Sequence, residues 1–193
     1  MSMAYLGDQF EVHGGGADLI FPHHESENAQ SEGATGRRPF VAFWTHAGML
    51  HDAGEKMSKS LGNLVLVRDL LRDHDADAIR HYLLSHHYRS EVHFDSEALR
   101  RSDAAAQRLR HAAEPMAAGP AGNDAIVADR RARFLAAMDD DLDTPAALRE
   151  LDALAAQALE GSAAASEAVR DLGGRILGLR LAPVTAAEPV EAA

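Results

Sequence analysis

The sequence predicts an α/β segment followed by an all-α segment, on three observations. Before roughly residue 67 the chain reads as strand, helix, strand and loop in that order, an alternation proper to α/β architecture. After Val67 a helical period takes over. The composition shifts with it: the 11 histidines lie between positions 13 and 111 and the single tryptophan is Trp44, whereas the remainder is rich in Ala, Leu and Arg.

Phe10-Glu11-Val12-His13 reads as a short strand running into a glycine turn, and Phe40-Val41-Ala42-Phe43-Trp44 as a second, buried strand. Between them Asp18 to Gln30 reads as helical. Gly54 to Asn63 is a polar loop bounded by glycines. Asp75 and Asp77 open a helix in which Ile79, Tyr82 and Leu83 share a face, and His86 and His87 close it, a charge order suited to the helix dipole. Three further helices are expected from Leu99, Ala106 and Leu109; from Phe134, Leu135, Met138 and Leu142; and from Leu148, Leu151, Ala155 and Leu159. Thr144 is the expected N-cap of the third, with Pro145 at its first position. A last amphipathic set is Val169, Leu172, Ile176 and Leu177, before a frayed tail from Ala182 to Ala193. Pro115 to Asn123 reads as the flexible connection, so the expected division is 1–67, 68–118 and 119–193.

Composition excludes several classes. With 46% hydrophobic and 25% charged residues the composition is that of a globular protein and argues against disorder and membrane insertion. No apolar run approaches the roughly 20 residues needed to span a bilayer, and Met1 to Asp8 has no secretory character, so a cytoplasmic protein with no membrane partner is expected. Cysteine is absent, so neither disulfides nor thiolate metal sites can come from this chain alone. A net charge of -11 argues against a broadly basic nucleic-acid surface.

Two segments carry chemistry. Lys56-Met57-Ser58-Lys59-Ser60 places two ammonium groups and two hydroxyls on a short glycine-flanked loop, which suits charge on a polyphosphate leaving group. A solvated basic turn would have the same composition. The second segment, His13 to Glu27, has three glycines after a strand, which lets a ligand approach the backbone closely. It is no dinucleotide fingerprint, because Leu19 holds the third glycine position, and no zinc-protease helix, because Asn28 replaces the second histidine. Nor is it an esterase loop, since the chain has no Gly-x-Ser-x-Gly turn. His23 and Glu27, four residues apart, share a helix face and could offer a nitrogen and an oxygen to a metal or simply bond to each other.

The whole string Lys56 to Asn63 matches the signature loop of class I aminoacyl-tRNA synthetases, and His13 to Glu32 closely resembles a block of the cysteinyl-tRNA synthetases. The resemblance implies the second half of a Rossmann-like catalytic fold, then connecting helices and an α-helical bundle, the last through Ala137 to Pro145. It implies ATP and Mg2+ as well as cysteine and tRNA-Cys, with Lys56 and Lys59 as catalytic lysines. Lys59, Ser58, Gly16, Asp18 and Met49 are then ATP contacts, Asp18 at the ribose and the Trp44 to Leu50 strand at the adenine. His13 stands beside the substrate amino group, and His23 and Glu27 share a zinc ion with two cysteines, the metal taking the substrate thiolate.

The resemblance has three departures. No His-x-Gly-His tetrapeptide occurs, neither family cysteine is present, and the chain stops near Gly178-Leu179, where longer members continue into an anticodon-recognition domain. The expectation is therefore a truncated or split product, inactive alone, with a second chain supplying the N-terminal half in the split case. Two alternatives stand beside it. One is the ligase of the mycothiol pathway that joins cysteine to a glucosaminyl inositol, against which the retained Glu27 speaks. The other is a non-catalytic paralogue serving as a binding module.

Overall fold

The computed structural model describes residues 2–52, 55–56, 64–115 and 124–182. They form two compact units: Met1–Leu64 with Tyr88–Phe94, and Val65–His87 with Asp95–Ala193. The expected boundary near residue 67 is close to the first break, but 88–94 returns to the first unit, and the two expected helical segments form one unit.

In the first unit a short helix α1 (Ser2–Leu6) precedes strand β1 (Phe10–Gly16), which runs parallel to β2 (Val41–Ala47) in the register Phe10↔Val41 to Gly16↔Ala47. The three glycines thus continue the strand instead of forming the expected turn, because each is paired with a β2 residue. The helical segment after them is not one helix. A 3-10 turn (Ala17–Leu19) and a π turn (Ile20–His24) lead into α2 (Glu25–Thr35), and Phe21 is extended at φ -135°, ψ 135°. Pro22 explains the break, since a residue preceding proline is pushed out of the helical region. Gly36, at φ 69°, ends α2 by the left-handed cap glycine favours, its N–H donating to Glu32 O.

Phe10 packs edge-on against Phe40 at 5.0 Å, and these two with Val41 are the buried apolar core of this unit among the described residues. A second small sheet has β3 (Leu50–Asp52) between β4 (Glu55–Lys56), antiparallel, and β5 (Val92–His93), parallel.

The second unit has helices and no strand among its described residues. It contains α3 (Val67–Leu70), α4 (Ala76–Leu84), α5 (Ser96–Ala112), α6 (Asp124–Asp139), α7 (Thr144–Leu159) and α8 (Ala163–Val169), with a closing π turn (Arg170–Ile176). Its core gathers Leu109, Phe134, Leu148, Leu151, Leu154, Val169 and Leu172 with alanines between them. The alanines let the helix axes approach while the leucines interdigitate. Asp75 caps α4 and Asp95 caps α5, each accepting a backbone N–H two residues on.

Three details correct the sequence reading. The N-cap of α7 is Asp143, whose carboxylate accepts from Ala146 N–H, so Thr144 and Pro145 are the first two helical residues. Leu142 lies outside α6 with φ 58° and is half exposed, because Asp141 and Leu142 both turn left-handed to reverse the chain. Leu135 and Ile176 share the apolar period but face outward. Residues 116–123 of the expected connection and 183–193 of the expected tail lie outside the described residues.

Candidate functional site

β1 and β2 are parallel and end side by side at Gly16 and Ala47. In open α/β sheets ligands bind beyond such carboxyl ends, where backbone groups and the following turns converge. A Cβ on Gly16 would stand 2.5 Å from Asp18 Oδ1 and 3.4 Å from Met49 Sδ. A side chain there would push the Asp18 carboxylate aside. That same proximity brings together three of the residues expected to contact ATP, with Asp18 exposed on the turn after β1. Met49 is held from behind: Gly48 N–H donates to Tyr88 O at 2.7 Å, and Val92 N–H donates to Met49 O at 2.9 Å. Lys56 lies in β4 with its backbone opposite His51. Ser58 and Lys59 lie outside the described residues.

Beside these strand ends stands a cluster of imidazoles on an indole. His13 stacks on Trp44, its register partner, with centroids 4.8 Å apart and planes 18° apart. His24 sits 4.7 Å from His13 and 4.9 Å from Trp44, only 4% exposed. Its Nδ1 is 2.8 Å from His46 Nε2. A Cβ on Gly15 would lie 2.7 Å from His24 Cε1, so the middle glycine makes the space that His24 fills. Burial holds His24 below the ordinary imidazole range, and neighbouring His13 and His46 push the same way against the opposing Glu27. That shift favours the neutral imidazole, the form that binds metals.

Of the expected metal pair, Glu27 belongs to a compact group of possible ligand atoms among the described residues. Glu27 lies 3.6 Å through Oε2 from His13 Nε2, and Ser2 Oγ donates to its Oε1 at 3.3 Å. His13, His24 and Glu27 each offer a ligand atom, and these lie within 4.8 Å of one another. His23 is exposed and lies outside this group, its ring 5.6 Å from that of His24. The extended Phe21 sets the phase of the following turns so that His24, one turn before Glu27, faces inward. His13 Nδ1 and Glu27 Oε2 are buried without a hydrogen bond. Two imidazoles and a carboxylate are a donor set that zinc accepts, so the residues present fit that metal.

His24 and His46 were not singled out from the sequence. The signals were available: His24 is three residues from Glu27, and His46 follows Trp44 by the strand period, opposite Gly15.

Residues 1–104 of the 193 match the family described as the tRNA synthetases class I (C) catalytic domain. The cysteine–tRNA ligase of Azotobacter vinelandii is 43% identical over 191 residues, covering 95% of this chain and 40% of that protein. That of Alkalilimnicola ehrlichii is 47% identical over 187 residues, covering 93% and 40%. This chain thus spans 40% of the length of these curated relatives. Among solved structures, the LeuRS of Agrobacterium radiobacter, in a LeuRS-tRNA-LeuAMS ternary complex, superposes with TM-score 0.65 at 16% identity over 85% of this chain and 25% of that one. That likeness concerns the fold alone. With a family model matching more than half its length, the chain belongs to the class I cysteinyl-tRNA synthetase catalytic-domain family.

Proposed function

We propose that this chain contributes part of an ATP-dependent cysteine–tRNA ligase site in a cytoplasmic protein-synthesis enzyme. The observation that carries the reading is the convergence of Gly16, Asp18 and Met49 at the carboxyl ends of β1 and β2, next to the stacked His13 and Trp44. In this reading Gly16 lets adenosine approach the backbone, Asp18 accepts from the ribose hydroxyls, and the Trp44 to Leu50 segment lies along the adenine. His13 stands by the amino group of cysteine. A cysteine carboxylate oxygen attacks the α-phosphorus of ATP, the bond to the bridging oxygen breaks, and pyrophosphate leaves with its Mg2+. Lys56, Ser58 and Lys59 are assigned to the charge that develops on those phosphates. A terminal hydroxyl of tRNA-Cys then attacks the cysteinyl carbonyl carbon, the bond to the phosphate oxygen breaks and AMP leaves. Positioning and fixed charge carry such steps, with little covalent work by the protein. Zinc, when bound, supplies a Lewis acid that prefers the substrate thiol to a hydroxyl.

The complementary phosphate-binding residues would come from a further stretch of protein, in the same polypeptide or a separate chain. The exposure of Val12 and Phe43, which face each other across β1 and β2, supports such a cover over the sheet.

Trp44 is the single tryptophan, so its fluorescence reads the site directly. Titration with Mg2+-ATP and with a non-hydrolysable cysteinyl-adenylate analogue should give saturable changes. Asp18→Ala should weaken both by about 10- to 100-fold, the worth of a charge-assisted hydrogen bond, at unchanged melting temperature. Absence of nucleotide binding, or equal affinity in the variant, would remove the reading. Cysteine-dependent ATP–pyrophosphate exchange by the chain alone is expected to stay at background.

A further inference from the structure

We propose that the segment Tyr88–Phe94 is a positioning element of the nucleotide site, setting its preference for adenine through main-chain groups that fix Met49. The inference rests on the nucleotide reading given above and adds to it residues from beyond the lysine loop.

The first argument is what Met49 faces. A Cβ on Gly16 would lie 3.4 Å from Met49 Sδ, so this thioether stands at the carboxyl end of β1 beside Asp18, where the reading above puts the adenosine. A flat base needs an apolar wall at a fixed distance. Methionine is an adaptable side chain, and it forms such a wall at one place only when its backbone is held.

The second argument is how that backbone is held. Gly48 N–H donates to Tyr88 O at 2.7 Å, Val92 N–H to Met49 O at 2.9 Å and Phe94 N–H to His51 O at 2.8 Å. These bonds bracket Met49 from both sides, in the register Leu50↔Val92 and His51↔His93. Between them the two backbones touch: a Cβ on Gly48 would lie 2.9 Å from Arg89 O and closer still to the Ser90 carbonyl, an approach that glycine permits. Arg89 braces the turn, its Nε–H donating to Tyr88 Oη at 2.7 Å. Strand β3 also pairs His51 with Lys56 of β4, so the strand that follows the base wall sets the backbone position at which the lysine loop begins.

The third argument is what these contacts do not do. The buried apolar core of this unit among the described residues is Phe10, Phe40 and Val41, to which the segment contributes nothing. Arg89, Ser90, Glu91 and His93 are exposed, and the contact with Gly48 and Met49 runs through main-chain atoms. Such bonding fixes geometry while adding little buried surface. If the segment raises affinity for adenosine by holding Met49, adenosine must in turn close the segment by the same factor.

The test uses the full chain with Trp44 fluorescence as reporter, titrated with Mg2+-ATP and with Mg2+-UTP, which share ribose and triphosphate and differ in the base. Val92→Pro removes the N–H that donates to Met49 O, at the first residue of a strand, where proline is tolerated. Val92→Thr keeps that N–H. The preference for ATP over UTP should fall about tenfold in Val92→Pro, with UTP affinity changed less than about twofold, and should persist in Val92→Thr. Amide hydrogen exchange of the unmodified chain is the second measurement: Gly48 and Val92 should exchange about tenfold more slowly with saturating ATP than with saturating UTP. Should Val92→Pro fail to fold by circular dichroism, the exchange rates decide. An unchanged ATP preference in folded Val92→Pro, an equal loss for both nucleotides, the same loss in Val92→Thr, or equal exchange under ATP and UTP would each overturn the proposal. Failure in a chain that binds ATP sinks this inference alone, whereas a chain that binds neither nucleotide removes the parent reading and this one with it.

Discussion

Asp77 offers the sharpest stability test in the helical unit. It is 2% exposed, near the start of α4. Its carboxylate accepts the backbone N–H groups of Arg180 at 2.8 Å and Leu181 at 3.0 Å, and Arg110 lies 3.7 Å away. Leu181 adopts φ 53°, a left-handed conformation that costs a residue with a Cβ about 1–2 kcal/mol. The carboxylate therefore pins a strained backbone. Asp77→Ala strands two donors at about 1–3 kcal/mol each. Arg110 keeps its pairing with Asp75, so no lone charge is added. The expected loss is about 4 kcal/mol, a large share of the roughly 5–15 kcal/mol stability of a domain. Asp77→Asn, which retains one acceptor oxygen, should lose about half as much. Urea unfolding followed by helical circular dichroism measures both. A loss below about 1 kcal/mol in Asp77→Ala, or an equal loss in the two variants, would refute the account.

Gly48→Ala should be severely disruptive to the first unit, because its Cβ would lie 2.0 Å from Ser90 O and 2.4 Å from Ser90 C, backbone atoms that cannot swing aside. A Trp44 fluorescence melt should show a cost of about 3 kcal/mol or more, and a wild-type melt would contradict the packing. Burial holds His81 below its ordinary 6.5, with Asp152 opposing and Arg108 reinforcing the shift, while its Nδ1 bonds Ser102 Oγ and its Nε2 has no partner. The unfolded chain therefore binds this proton first. Stability should be whole above about pH 6.5 and fall as pH drops from there through the folded value. His81→Gln should flatten that fall relative to wild type in urea titrations at successive pH values; an unchanged slope would reject the assignment.

The elements that were legible in the sequence share a local cause. Leu99, Ala106 and Leu109 recur at the helical period and are all buried in α5, and the helix start at Asp75 needs only a side chain reaching its own backbone. The errors lie where neighbours in space intervene. Gly14 to Gly16 read locally as a turn but are held as strand by hydrogen bonding to Thr45 to Ala47. Leu135 and Ile176 satisfy the apolar period yet face outward, because periodicity names a stripe and packing decides its edges.

The candidate site divides the same way. Residue types and spacing pointed to the glycine run, to the His23 and Glu27 pair and to the lysine loop, whereas the roles expected of His13, Gly16, Asp18 and Met49 came with the family resemblance. Which histidine joins Glu27 was not a matter of spacing, because positions 23 and 24 both lie within one turn of it. The break at Phe21 and the pairing of β1 with β2 set the helix phase that turns His24 inward and leaves His23 exposed. His46 enters only because parallel pairing carries the carboxyl end of β2 beside that of β1. Family membership and the helical period are thus written in local sequence, whereas the pairing of His24 with His46, twenty-two positions apart, is made only by the folded chain.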